Sequence, residues 1–337
     1  MKVVTYAVLI LAMVAFGFGV YRAAGALKTD SGRVVQPSST SAPALPGTMY
    51  VAQQGALYRF KDGSFTQITK DSGWTQPAAS PDGTHLVAVM RQQNFSDLYT
   101  LYPNGQIQQQ LTHHESPQVE YNHWSFYPRF NADGSRVFSS YDDKDPYSSY
   151  RVDFAIYALA DDGSGSVLQW TVPNDYTGGD ADPQPLRGGG LIYTKYSIDD
   201  KSQVHSQLWF ASAAGRPGTA LTQPADNCSQ PSLSPDQTSV AMICRHSDLQ
   251  ATDVVVAKFD SATLTLGPAK VLVLGQLSAS PVFSPDGQTL AFLAPVQPGE
   301  GFQLWTVPAA ASASPSAARP ITQSLSLDSS APPAWVK

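Results

Sequence analysis

His113, His114 and Glu115, followed by Tyr121, His123 and Trp124, bring three of the chain's six histidines together with a carboxylate and two aromatic rings. Imidazoles this close together raise two chemistries, metal ligation and recognition. Zinc sites take four N or S ligands at recurrent short spacings. These histidines match none of those spacings, and no third or fourth ligand converges on them in sequence, so no metal is expected. The mixture of rings and polar groups fits a contact patch for a protein or a glycan, with aromatic anchors. It also fits a self-packed surface loop whose Trp and Tyr cover the layer beneath. Tyr147 and Tyr176, on two other polar segments, extend the candidate patch.

Two acidic groups, Asp142, Asp143 and Asp145, and Asp175, Asp180 and Asp182, offer oxygen ligands of the kind calcium takes. Both lack the alternating ligand pattern with its distal Glu, and they are expected to be solvated acidic loops. No Ser-His-Asp arrangement and no G-x-S-x-G motif stands out, so no catalytic residue and no cofactor is assigned. Cys228 and Cys244 flank a segment containing SPDQ. With a turn at SPDQ, residues 229 and 244 stand nearly opposite, and a cross-hairpin disulfide is expected in an oxidising compartment. The alternative is two separate small apolar residues, and either way the pair is structural. Asn94 and Asn227 open N-x-S sequons that matter only in a glycosylating pathway.

The elements that must carry these residues are short and repeated. Hydrophobic residues make up 42% of 337, enough for a large core, while charged residues are only 14%. With 26 Pro and 25 Gly, turns are dense and long charged helices are not expected. Net charge is −6 and no basic run occurs, which excludes nucleic acid as a partner. Segments led by Pro77, Pro128, Pro185, Pro231 and Pro281, with PAWVK from Pro333, recur about every 50 residues, the period of a propeller or solenoid. SPDG at 80–83 and 284–287, NADG at 131–134 and SPDQ at 234–237 follow four of these prolines. Each reads as a hairpin turn: Pro sets φ at the first corner, Asp bonds nearby backbone and Gly takes the left-handed corner. The third unit carries RGGG instead and reads as three residues shorter. Apolar strands such as THLVAV follow, then DLYTLY or QLWTVP, then a strand often ending in LT or IT.

This pattern, P-x-x-S-P-D-G with an LY or LW strand and a terminal LT, resembles the TolB-like (WD40-like, SPDG-type) repeat. It is also similar to the propeller domain of prolyl-oligopeptidase-type enzymes. The resemblance covers nearly everything after residue 47 and implies an all-β, six-bladed propeller. PAWVK supplies one strand and residues 48–69 the other three of the closing blade, which protects strand edges.

In four-stranded antiparallel blades the first-second and third-fourth turns share one face, and these are short here. The second-third loops and the crossovers share the other, and these are long (113–127, 141–153, 173–184, 197–206). Binding is expected on that long-loop face. Residues 1–28, with an apolar run after Lys2, read as a signal anchor, with secretion after cleavage at AGA (24–26) as the alternative. Residues 29–47, rich in Ser, Pro and Ala, read as a flexible tether to a propeller spanning 48–337 outside the cytoplasm. The expected role is non-catalytic binding of a protein, peptide or envelope polymer. The alternative is a polysaccharide lyase or hydrolase with its site in the central channel.

Overall fold

The computed structural model describes residues 45–70, 73–142, 153–245, 251–310 and 318–337. Six antiparallel sheets follow one another around a ring. Blade 1 joins both ends of the chain: Ala334–Val336 pairs with Thr48–Gln53, and Ala56–Lys61 and Ser64–Gln67 complete it. Blade 2 is Trp74–Ala79, Leu86–Arg91, Ser96–Leu101 and Ile107–Gln110; blade 3 is Ser125–Phe130, Arg136–Asp142, Phe154–Ala160 and Leu168–Gln169. Blade 4 comprises Asp180–Pro185, Leu191–Ile198, Val204–Ala211 and Thr219–Ala220. Blade 5 comprises Ser229–Leu233, Ser239–Arg245, Thr252–Asp260 and Thr265–Leu266, and blade 6 Ala279–Phe283, Thr289–Pro295, Phe302–Pro308 and Arg319–Pro320. Blade 5 adds a strand the sequence pattern did not announce, Lys270–Gln276, which pairs along Thr252–Val256 where Thr265–Leu266 does not reach. The expected anchor at residues 1–28 lies outside the described residues, as does the tether up to residue 44. Among the described residues no helix is long and apolar enough to cross a membrane.

Near-continuous apolar strands fit this ring because each sheet is covered on both faces. In blade 2, Leu86 and Ala88 pack toward Leu57 of blade 1, while Val87 and Val89 pack toward Val137 of blade 3. All four are fully buried. The same division gives six cores, one at each seam between blades.

The turn letters act as expected. Gly83, Gly134 and Gly287 take φ of 70 to 78°, and Gln237 holds the same corner at 59°. Ser80 adds a second lock: its hydroxyl donates to Asp82 Oδ1 (2.5 Å) and accepts from His85 N–H (3.0 Å). Ser234 and Ser284 repeat it. The terminal LT or IT also has a physical reason. Thr69, Thr112, Thr171, Thr222 and Thr322 each accept, at 2.9–3.0 Å, the N–H of an apolar residue in the neighbouring third strand. That donor lies just past the end of the short outer strand, so the hydroxyl extends the ladder by one bond.

The third repeat is aligned by Pro183, not by Pro185. The innermost strands of blades 2 to 6 each carry a bulge next to a proline. The residue before that proline is Gln76, Tyr127, Asp182, Gln230 or Ser280, all with φ between 48 and 54°. Asp182 places Pro183 in this series, so Ala79↔Leu86 of blade 2 corresponds to Pro185↔Leu191 and the turn is shorter by one residue. Proline has no N–H to give the ladder, and the bulge supplies a position where none is needed.

Candidate functional site

The five residues that precede these prolines stand around the channel, in a hydrogen-bonded series that among the described residues is open between Tyr127 and Asp182. Gln76 Oε1 accepts from Tyr127 N–H, linking blades 2 and 3, and Gln230 Oε1 accepts from Ser280 N–H, linking blades 5 and 6 (both 2.7 Å). The Asp182 carboxylate accepts from the Thr194 hydroxyl, whose oxygen in turn accepts from Gln230 N–H (both 3.1 Å), linking blades 4 and 5. Gln76 Nε2 and Ser280 Oγ donate to the carbonyls of Ser330 and Ser329, just before the closing strand (both 3.0 Å). Burial pushes the Asp182 carboxyl up to about 6, against the Thr194 hydrogen bond and the Arg129 guanidinium, which both lower it. Burial, with the nearby Asp182 charge, also raises the Tyr127 phenol.

Asp142, Asp180 and Asp182, expected in solvated loops, are buried instead. Asp142 ends a strand and Asp180 begins one, while Asp182 sits at the bulge inside the same strand as Asp180. Asp180 is paired with Lys195 Nζ at 3.2 Å, and burial still holds it above the usual carboxylate range. Lys195 Nζ also donates to Val172 O (2.8 Å). Asp143 and Asp145 lie outside the described residues. Among the described residues no group of three or more His, Cys, Asp or Glu could hold a metal ion.

The histidine segment divides. His114 and His123 pack with Tyr141 at ring separations of 5.0 and 5.3 Å. Their Nδ1 atoms sit 2.8 Å from Ser96 O and 2.6 Å from Asp142 O. These two rings fasten blade 2 to blade 3, and burial holds His114 below its usual range. Trp124 is half-buried, stacked on Phe126 with the Arg91 guanidinium 5.9 Å from its ring. His113 and Glu115 are exposed, His113 at a cavity of about 340 Å³ walled by Tyr141 and Tyr157. Tyr121 and Tyr176 are 39% and 72% exposed, and Tyr147 lies outside the described residues. Cys228 and Cys244 are joined as a disulfide across the blade 5 hairpin.

Exposed large apolar side chains gather on the long-loop face: Val119, Tyr121, Val172, Tyr176, Ile198 and Val204, with Leu277 and Val296. Among the described residues the short-turn face exposes Tyr102 at a turn, and the others lie along outer edges. The crossover carrying Val172 and Tyr176 is held rigidly. Asp153 accepts from the N–H groups of Tyr176, Thr177 and Gly178, and Asn174 Nδ2 donates to Tyr196 O. The channel opens on this side into a cavity of about 600 Å³ lined by Trp74, Gln76, Arg91, Phe126, Tyr127 and Asp328 among others. Sequence reasoning missed the ring because its members share no residue type; their one common signal is the place before the repeat's proline.

No family model and no curated relative matches the chain. Solved structures do. TolB from Acinetobacter baumannii is 18% identical, with 88% of this chain and 68% of that chain covered and a TM-score of 0.65. A protein from Agrobacterium tumefaciens assigned as TolB is 12% identical over 85% and 92%, with a TM-score of 0.59. A gluconolactonase from Xanthomonas campestris is 12% identical over 87% and 90%, with a TM-score of 0.53. Identities this low speak to fold alone, and one fold hosts both enzymes and non-enzymes. The fold of this chain is a TolB-like six-bladed β-propeller.

Proposed function

We propose that the chain is a non-catalytic binding module that holds a protein or peptide partner on its long-loop face. The observation that carries this reading is the gathering of exposed apolar side chains on that face, on a crossover already fastened in place. Tyr176 is the clearest anchor, with Val172 (70% exposed) beside it. Preorganised apolar and aromatic groups lose little entropy on binding. Residues 1–28 would anchor the propeller outside the cytoplasm and residues 29–47 tether it. The Cys228–Cys244 disulfide supports an oxidising compartment.

A second reading, a lyase or hydrolase in the channel, draws on Asp182, a buried carboxyl raised to about 6 beside Arg129. Its bond to the Thr194 hydroxyl, which itself takes Gln230 N–H, makes it part of the structural network, and the binding reading is preferred.

The test is crosslinking capture from native membranes with the parent chain and a Tyr121→Ser/Val172→Ser/Tyr176→Ser variant. All three positions are exposed, so the fold is retained, whereas replacing the whole 113–127 loop would remove His114 and His123 from their seam. A partner held by the parent and weakened at least about 10-fold in the variant is expected. Equal capture by both, or capture by neither, refutes the reading.

A further inference from the structure

The short-turn mouth of the channel carries a second site, on the face opposite the one proposed above. Its cavity is about 450 Å³. The residue after each repeat proline lines it: Ala78, Arg129, Gln184, Ser232, Val282 and Ala334, from blades 2, 3, 4, 5, 6 and 1. The ring is therefore divided. Blades 3 to 5 present a guanidinium, a carboxamide and a hydroxyl side by side, and blades 6, 1 and 2 present an isopropyl group and two methyls. Arg187 stands at the rim, at the turn position where blades 2, 5 and 6 have the proline of SPDG or SPDQ.

No Asp or Glu side chain lines this cavity, in a chain whose net charge is −6. The carboxylates of the nearby turns are occupied: Asp82 takes the Thr84 N–H and hydroxyl, and Asp236 and Asp286 do likewise with their own turns. Arg129 Nη1 donates to Pro128 O at 2.9 Å. Among the described residues that is the one hydrogen bond of this guanidinium, and no carboxylate oxygen lies within 4 Å of it; the buried Asp182 carboxyl acts on it from farther off. The side chains of Gln184 and Ser232 likewise make no hydrogen bond to the described residues. An arginine fork is planar and matches a carboxylate through two parallel bonds.

We propose that this mouth binds a small ligand that joins a carboxylate to an apolar group. The carboxylate lies on Arg129, with Gln184 and Ser232 as further donors, and the apolar part lies against Val282, Ala334 and Ala78. A free organic acid and the C-terminal residue of a peptide share this chemistry.

Calorimetric titration of the full chain with hexanoate, hexanamide, and N-acetyl-Ala-Leu as free acid and as amide tests the assignment. At least one acid binds, and its amide binds at least about 10-fold more weakly. Binding of both acids points to a free acid, and binding of the peptide acid alone points to a chain end. Arg129→Gln weakens the acid at least about 10-fold, and the rim variant Arg187→Gln weakens it less, with a smaller salt dependence. If Arg129→Gln does not fold, Gln184→Leu takes its place and is expected to weaken binding several-fold. Absence of acid binding, equal binding of acid and amide, or unchanged affinity in the folded Arg129 or Gln184 variant overturns the proposal.

Discussion

Replacing Asp182 by Asn removes a buried charge from the channel ring while keeping its shape. The backbone tolerates the change, because Asp182 has φ 53° and Asn is among the residues that accept the left-handed region. The Asn carbonyl oxygen can still accept from the Thr194 hydroxyl. The Asp182 carboxyl is raised from 3.8 to about 6, chiefly by burial. A raised carboxyl stabilises the fold fully below its unfolded value, and that contribution is lost as pH rises through about 6. A carboxyl that binds its proton roughly a hundredfold more tightly in the folded chain, at about 1.36 kcal/mol per factor of ten, loses about 3 kcal/mol between pH 4 and pH 7. The asparagine variant lacks this loss. Urea unfolding of both proteins from pH 4 to pH 7.5 therefore shows similar stabilities near pH 4. Near pH 7 the variant is ahead by about 3 kcal/mol. Parallel pH profiles refute the argument, and so does a variant less stable at pH 7 than at pH 4 by the wild-type margin.

Three further predictions concern the scaffold. Cys228→Ala/Cys244→Ala, removing a crosslink that spans 16 positions, lowers unfolding free energy by about 3 kcal/mol, and reductant brings the wild type to the same melting temperature. Thr112→Val leaves Leu98 N–H without its side-chain acceptor and removes one of the donors to Asp97, which costs about 1–3 kcal/mol in denaturant titration. Asp82 and Asp236 are held at about 2 by their serine and turn hydrogen bonds. Their stabilisation is present above 3.8 and lost as pH falls through about 2, so their carboxyl carbon shifts in an NMR titration stay at the ionised value at pH 3.

The ring closure, the blade count and the hairpin at each SPDG were legible because each rests on a local rule that holds wherever the letters occur. The third repeat was misplaced by two residues because PQP offers two prolines and RGGG lacks the serine that marks the turn. Nothing in KVLVLGQ distinguishes an inserted fifth strand from an ordinary fourth one; only its pairing with Thr252–Val256 does. Asp180 and Asp182 sit in a polar, glycine-rich stretch that reads as solvent-facing, yet strand pairing folds them into the axis. His114 and His123 looked like surface chemistry and prove to be seam residues, because recognition and packing use the same aromatic side chains. The long-loop face was legible from loop lengths alone. The apolar character of its tips depends on which side chains the folded loops leave outside.

The most direct measurement is hydrogen exchange on the propeller with and without the captured partner. Binding on the long-loop face predicts slowed exchange at 119–121, 172–178 and 198–204, with the turns at 80–83, 234–237 and 284–287 unchanged. Protection confined to those turns, with the long loops exchanging as before, would contradict the account.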